Sequence, residues 1–432
     1  MCGIAGFFDP GRRVDPTRYD AIAAAMAGRL AHRGPDGRGA WSDAEAGIAL
    51  GFRRLSILDL SPAGHQPMHS ADGSLAMVFN GEIYNHRALR AALDAEGVRA
   101  WRGHSDSEVL IEAIARWGFA ATLERANGMF ALAVWDRRAR RLLLARDRFG
   151  EKPLYYGVCG GALLFASELK ALAPHPLWRG EIDRAALGLT LRYGYIPAPW
   201  SAFAAIRKLP PGHWLEFADA RESAARPYWS APERAAAAAA APFAGGAAAA
   251  SEALQALVDE AVALRMEADV PLGAFLSGGI DSSSVVASMR RANLGPVRSF
   301  AIGFPDEAYD ESPHAAAVAR HLGAEHTTLV VTERESLDAL RTIPQVYDEP
   351  FADPSQVPTL VLCRLTRGHV TVSLSGDGGD ELFGGYDRYA RAASEWRRIE
   401  RWPQALRRGA QGTAALLAGR EWRPLRRLRR LA

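Results

Sequence analysis

An α+β layered domain followed by an α/β domain with a parallel sheet is what this 432-residue sequence predicts. Three observations carry that expectation. Short apolar or alternating runs outnumber helical stretches before residue 230, and strands and helices alternate after residue 250. Between them lies a low-complexity Ala, Gly and Pro stretch over 235–250. A chain of this length forms two or three domains, each large enough for its own core.

In the first part, strands are expected at 4–8, 48–52, 75–79, 130–135, 142–145 and 163–166, with helices at 19–30, 88–95 and 108–117. The stretch 231–250 reads as a linker, because Pro242, Gly245 and Gly246 interrupt an alanine run that would otherwise be helical. It divides a domain over 2–230 from one over 251–432. The second part then reads helix 253–265, strand 272–276, helix 283–291, strand 297–302, helix 314–322 and strand 327–331, with a further strand at 370–374. Such alternation implies a parallel sheet wrapped by helices.

Composition excludes several classes. With 48% hydrophobic and 23% charged residues the chain is not globally disordered, and no apolar run reaches the ~18 residues a bilayer span needs. No apolar stretch precedes Cys2, so the sequence predicts no leader and a cytoplasmic protein. Three scattered cysteines (Cys2, Cys159, Cys363) make no disulfide framework. From Arg391 onward twelve Arg face three Glu, a net +9 that leaves −6 for the remainder of a chain whose total is +3. Trp396, Trp402 and Trp422 are interleaved there, yet the segment is read as a solvated helical one, with neither nucleic acid nor membrane as partner.

Three motifs carry chemistry. The first is Met1-Cys2-Gly3-Ile4: removal of Met1 would leave a thiol and an α-amine on Cys2, with reference pKa values of about 8.5 and about 7.7 to 8.0, a nucleophile and its base on one residue. The second is an apolar strand running into Ser277-Gly278-Gly279-Ile280-Asp281-Ser282-Ser283, a tight turn that presents N–H groups and hydroxyls to an oxyanion at a helix start. It lacks the Gly-Lys-Ser/Thr of a Walker A loop. The third, Ser375-Gly376-Asp377-Gly378-Gly379-Asp380-Glu381, ends another strand with three carboxylates, which suit Mg²⁺ beside phosphates.

These motifs occur in order with His32-Arg33-Gly34-Pro35-Asp36, Arg54-Leu55-Ser56-Ile57, Asn80-Gly81-Glu82-Ile83-Tyr84-Asn85, Ser105-Asp106-Ser107-Glu108 and Arg146-Asp147-Arg148-Phe149-Gly150. Together, from Cys2 to about Tyr389, they closely resemble glutamine-hydrolysing asparagine synthetases. The resemblance implies a class II glutamine amidotransferase domain, an N-terminal-nucleophile αββα sandwich, joined to an ATP-pyrophosphatase domain of α/β type.

It also implies roles. Cys2 would attack the side-chain amide of L-glutamine, with Asn80 and the Gly81 N–H as oxyanion donors. Arg54 would clamp the α-carboxylate with Leu55, Ser56 and Ile57 alongside, while Glu82 and Asp106 would hold the α-ammonium. Leu276 and Ile302 would flank the adenine of ATP, and Ser277, Gly278, Gly279, Asp281, Ser282, Ser283, Ser375 and Gly376 would line its phosphates. Asp281 and Asp380 would take Mg²⁺ or pyrophosphate, and Asp377 would serve formation of an acyl-adenylate. The acceptor implied is L-aspartate, made into asparagine with release of AMP and pyrophosphate. The resemblance allows a homodimer.

Family members usually continue further, with a downstream Arg segment and a catalytic Lys, whereas no lysine follows Tyr389 here. A C-terminally truncated chain is therefore expected, for which a glutaminase-only or inactive form is an alternative. Another is an amidotransferase acting on a different carboxylate, such as a sugar acid of polysaccharide assembly.

Overall fold

The computed structural model describes residues 1–407 except 219–220, 293–294, 307–309 and 405. Most of the Arg-rich end, with Trp422, therefore lies outside the described residues.

Two antiparallel sheets form the first domain. One contains β1 (Gly3–Phe8), β2 (Gly37–Asp43) and β3 (Ile48–Arg54). The next strands, β4 (Met68–His69), β5 (Leu75–Ile83), β6 (Gly128–Asp136) and β7 (Arg141–Arg146), belong to the other. β8 (Tyr155–Cys159), β9 (Ala162–Ala166) and β10 (Arg207–Lys208) return to the first sheet, and β11 (His213–Ala218), β12 (Arg221–Glu222) and β13 (Arg226–Pro227) to the second. The orders are β10-β8-β9-β1-β3-β2 and β12-β11-β7-β6-β5-β4, with β13 also on β11.

Period-two alternation explains the layering. Along β1, Ile4 and Phe8 enter the cluster between the sheets with Leu50, Phe52, Val78, Trp135 and Phe217. Ala5 and Phe7 face the opposite way, onto Tyr19, Ile22 and Met26 of helix Tyr19–Gly28. Across the other sheet, Met77, Phe79 and Leu132 pack on Leu89, Leu93, Leu110 and Ile114 of helices His86–Ala95 and Asp106–Trp117. The result is helix, sheet, sheet, helix: the expected αββα sandwich. Gly6 is required where β1 crosses this core, since a Cβ there would stand 2.5 Å from the Ala49 carbonyl oxygen and 2.6 Å from the Phe165 ring.

Within the stretch 231–250 the structure departs from the sequence reading in one respect, the broken helix: Ala231–Ala240 is a helix, started by Ser230, whose hydroxyl accepts the Glu233 N–H, and by Pro232 in the first turn. The helix Ala247–Arg265 already includes the last alanines. Alanine's low helical cost outweighs the breakers outside a short gap of 241–246.

The second domain holds a four-stranded parallel sheet of β14 (Leu272–Phe275), β15 (Arg298–Gly303), β16 (Glu325–Val330) and β17 (Val372–Leu374), in the order β16-β15-β14-β17. Ala274, Leu276, Val286, Met289 and Ala315 form its core. The chain order runs outward from β14 to β16 and then returns to β17 on the other side of β14. The crevice at the carboxyl ends of β14 and β17 is thus the topological switch point, where such sheets bind ligands. Among the described residues no helix is long and apolar enough to cross a membrane.

Candidate active site

Strand pairing assembles the first site. Gly3 pairs with Arg53 at the end of the β1–β3 ladder, which sets Cys2 beside Arg54 and Leu55. Asn80, Gly81 and Glu82 occupy the last turns of β5, and Asp106 opens the helix Asp106–Trp117, capped by Ser105. These elements converge on one cavity of about 60 Å³, lined by Met1, Cys2, Arg54, Leu55, Ile57, Asn80, Gly81, Glu82, Asp106 and Lys152 among others. Of the residues expected for glutamine, only Ser56 is outside that lining; its N–H donates to Asp36 at 2.9 Å.

The Leu55 N–H donates to Cys2 Sγ at 3.4 Å. Burial pushes the Cys2 thiol up, and the Leu55 N–H acts in the opposite direction. The terminal amine, borne by Met1, is lowered to about 5, first by burial.

Asn80 is 1% exposed, and its side-chain Nδ2 has no hydrogen-bond partner. A buried unpaired amide costs about 1–3 kcal/mol, a penalty proteins retain where a ligand atom will complete the bond. Gly81 next to it admits no side chain, because a Cβ would meet the Met129 carbonyl oxygen at 2.2 Å. Two carboxylates face the same space. Asp106 is raised by burial although it accepts the Ile83 and Ser107 N–H groups, both at 2.8 Å. Glu82 is raised to about 7 by burial and then by Asp106.

Arg54 is braced from behind. Its guanidinium donates to the Asp59 carbonyl and, at 2.9 Å, to that of Ser61. Both terminal nitrogens keep a further N–H for a ligand.

Several residues in the site had no assigned role. Arg33, in the His-Arg-Gly-Pro-Asp motif, donates to the Cys2 carbonyl at 2.9 Å and pairs with Glu168 at 2.8 Å. Lys152 places Nζ 3.2 Å from Met1 Sδ, and burial lowers it. The Arg-Asp-Arg-Phe-Gly motif explains how it gets there. Asp147, fully buried, accepts N–H groups from Phe130, Phe149, Glu151 and Lys152, while Arg146 holds the carbonyls of Gly150, Lys152 and Leu209. The motif was visible; only the fold shows that it aims a lysine into the cavity.

In the second domain the two Gly-rich loops touch. A Cβ on Gly376 would stand 2.8 Å from the Ser282 nitrogen, and one on Gly379 2.4 Å from Asp281 Cγ. Ser277 and Ser282 hydroxyls lie 3.0 Å apart, and Ser375 donates to Asp377 at 3.0 Å. Ser283 Oγ is buried without a partner. Gly278 has φ +84° and sits against His314 and Ala315, so the turn needs glycine on both counts. Leu276 is 1% exposed in the domain core, and half-buried Ile302 packs with Val331 and Val361. No group of three or more metal-binding side chains occurs among the described residues. Asp281 and Asp380, on the two touching loops, still fit Mg²⁺, which commonly takes one or two carboxylates plus substrate phosphates rather than an all-protein cage.

The segment Asp348-Glu349 meets the first domain. Lys170 pairs with Asp348 at 3.1 Å and with Glu168 at 2.7 Å; Lys208 pairs with Glu349 at 2.6 Å, and the Ala202 N–H donates to Glu349 at 2.8 Å.

The family model described as glutamine amidotransferase domain matches residues 1–229, and that described as asparagine synthase matches 253–432. The asparagine synthetase [glutamine-hydrolyzing] 1 of Bacillus subtilis is 34% identical over 419 residues, covering 96% of this chain and 64% of that protein. A putative asparagine synthetase [glutamine-hydrolyzing] 2 of Methanocaldococcus jannaschii is 36% identical over 406 residues, covering 89% and 76%. The amidase chry2 of Gibberella zeae is 30% identical over 446 residues, covering 98% and 64%. The chain thus spans a little under two thirds of the length of the first of these relatives.

Proposed function

The chain belongs to the glutamine-hydrolysing asparagine synthetase family, and from that premise we propose that it releases ammonia from glutamine at Cys2 and transfers it to an ATP-activated carboxylate, aspartate in the first instance. The observation that supports this most is the unpartnered, buried Asn80 amide in the cavity that Cys2 lines.

With Met1 present the cavity of about 60 Å³ admits only a few waters. Removal of Met1 opens it and places the α-amine on Cys2. The thiol proton passes to that amine, Sγ bonds to the amide carbon, and Asn80 Nδ2 with the Gly81 N–H receives the oxyanion. Collapse expels ammonia and leaves a thioester, which water cleaves to glutamate. Arg54 binds the α-carboxylate, and Glu82 and Asp106 the α-ammonium.

At the second site the asparagine synthase domain implies ATP use. The acceptor carboxylate attacks the α-phosphorus, pyrophosphate leaves, and ammonia displaces AMP from the acyl carbon. The Ser277–Ser283 turn and Ser375-Gly376 orient the phosphates, and Asp377 faces the acyl-adenylate. Asp281 and Asp380 would hold Mg²⁺, which offsets phosphate charge. Ammonia passes between the sites through the interior, where it stays unprotonated. The setting is cytoplasmic, in keeping with three free cysteines.

Cys2→Ala should abolish glutamate formation from glutamine and spare ammonia-dependent amide synthesis; joint loss in a folded variant would refute separate sites. A second acceptor reading has one observation in its favour: the match to an amidase along nearly the whole chain. ATP–pyrophosphate exchange with aspartate and a panel of other carboxylates separates the two.

A further inference from the structure

The segment joining helix Ala247–Arg265 to β14 is pinned to the glutaminase domain at three successive points. The Arg265 guanidinium lies 4.2 Å from the centre of the Tyr84 ring. Glu267 pairs with Arg87 at 2.7 Å and approaches His86 Nε2 at 3.3 Å. Asp269 goes further in: its Oδ2 accepts the Asp59 N–H at 2.8 Å and lies 2.7 Å from His104 Nε2, while its own N–H donates to the Ile57 carbonyl at 2.9 Å.

Asp59 carries this contact to the glutamine cavity. It is 1% exposed and has φ +56°, a left-handed conformation uncommon for non-glycine residues, though Asp takes it more readily than most. Its carboxylate accepts from the His104 and Ser61 N–H groups at 2.9 and 3.1 Å, and its carbonyl accepts from Arg54. The N–H that Asp269 fixes and the carbonyl that Arg54 uses flank the same α-carbon, that of Asp59. Gly64 closes the other side, since a Cβ there would meet the Arg54 guanidinium at 2.1 Å.

We propose that Asp269, a residue of the second domain, is a positioning residue for the glutamine site: it fixes the Asp59 turn and thereby the Arg54 guanidinium. The glutaminase is then complete only with the synthetase domain docked upon it. This rests on the reading that Arg54 binds the glutamine α-carboxylate. Arg265 and Glu267 remain as anchors when Asp269 is changed, so the effect of Asp269 is local.

The test is steady-state glutaminase kinetics on the full chain, with thermal unfolding alongside, for Asp269→Ala, Asp269→Asn, His104→Ala and Arg54→Lys. Asp269→Ala should raise the glutamine KM roughly five- to tenfold with kcat held within about twofold, chiefly through loss of the hydrogen bond that fixes the Asp59 N–H. Asp269→Asn keeps an acceptor for the Asp59 N–H and should recover most of that KM, and His104→Ala should move it less than Asp269→Ala does. An unchanged KM in Asp269→Ala while Arg54→Lys raises it would overturn the positioning role alone. No rise in either would sink the Arg54 reading instead. A fall in kcat and melting temperature without a KM change would show Asp269 to be merely structural.

Discussion

Lys170 Nζ bridges Asp348 of one domain and Glu168 of the other, at 3.1 and 2.7 Å, and Glu168 in turn pairs with the Arg33 that holds the Cys2 carbonyl. Burial alone would raise Glu168, yet Arg33 and Lys170 outweigh it and hold the carboxyl below its usual range. An unbroken run of charges thus joins the nucleophile's backbone to the Asp348-Glu349 segment, for which the sequence alone offered no physical role.

That link is measurable. Asp348→Asn should destabilise the chain by about 1 kcal/mol, because the ammonium keeps Glu168 but loses one of its two charged partners in a half-buried place. A double-mutant cycle with Lys170→Met, followed by denaturant unfolding, should give a coupling of about 1 kcal/mol. Additive single effects would mean that the pair contributes nothing.

Asn80→Ala should lower the glutaminase kcat by a factor on the order of 10² to 10³ with little change in KM, since the unpaired Nδ2 is engaged only when the oxyanion forms. Asn80→Asp keeps the shape, lacks the donor, and should be at least as impaired. A pure KM effect would assign Asn80 to ground-state binding.

In the proposed role of Glu82, raised to about 7, glutamine capture should be pH-dependent. Holding the α-ammonium needs the carboxylate, which is present above pH 7 and is lost by protonation as pH falls below it. The kcat/KM for glutamine should therefore decline on the acid side with a midpoint near 7, and Glu82→Gln should remove that limb while lowering the plateau. Retention of the limb in the variant would place it on another group.

Gly376→Ala tests the second site in isolation. Its new Cβ would stand 2.8 Å from the Ser282 nitrogen and 2.9 Å from Asp281 Cβ, so the phosphate loop itself must shift. ATP–pyrophosphate exchange should fall roughly tenfold or more, as overpacking against backbone does, with glutaminase kcat unchanged. Equal exchange rates would place the nucleotide elsewhere.

Periodicity was enough to reveal most of the architecture. The alternating runs of the first part, the strict alternation of the second, and motifs such as Cys2-Gly3-Ile4 and Ser277-Gly278-Gly279 are local patterns, written where they act. The helix over Ala231–Ala240 is not legible as one because Gly and Pro at its edge mask alanine's own helical preference. What only the tertiary structure decided are relations between residues remote in the chain. Lys152 enters the cavity beside Cys2 because Asp147 folds its loop, and Asp348 and Asp269 look like ordinary surface carboxylates until the domains meet. A hydrogen bond across some two hundred residues leaves no periodic trace in either partner, because its geometry belongs to the packed domains and not to the local sequence around each end.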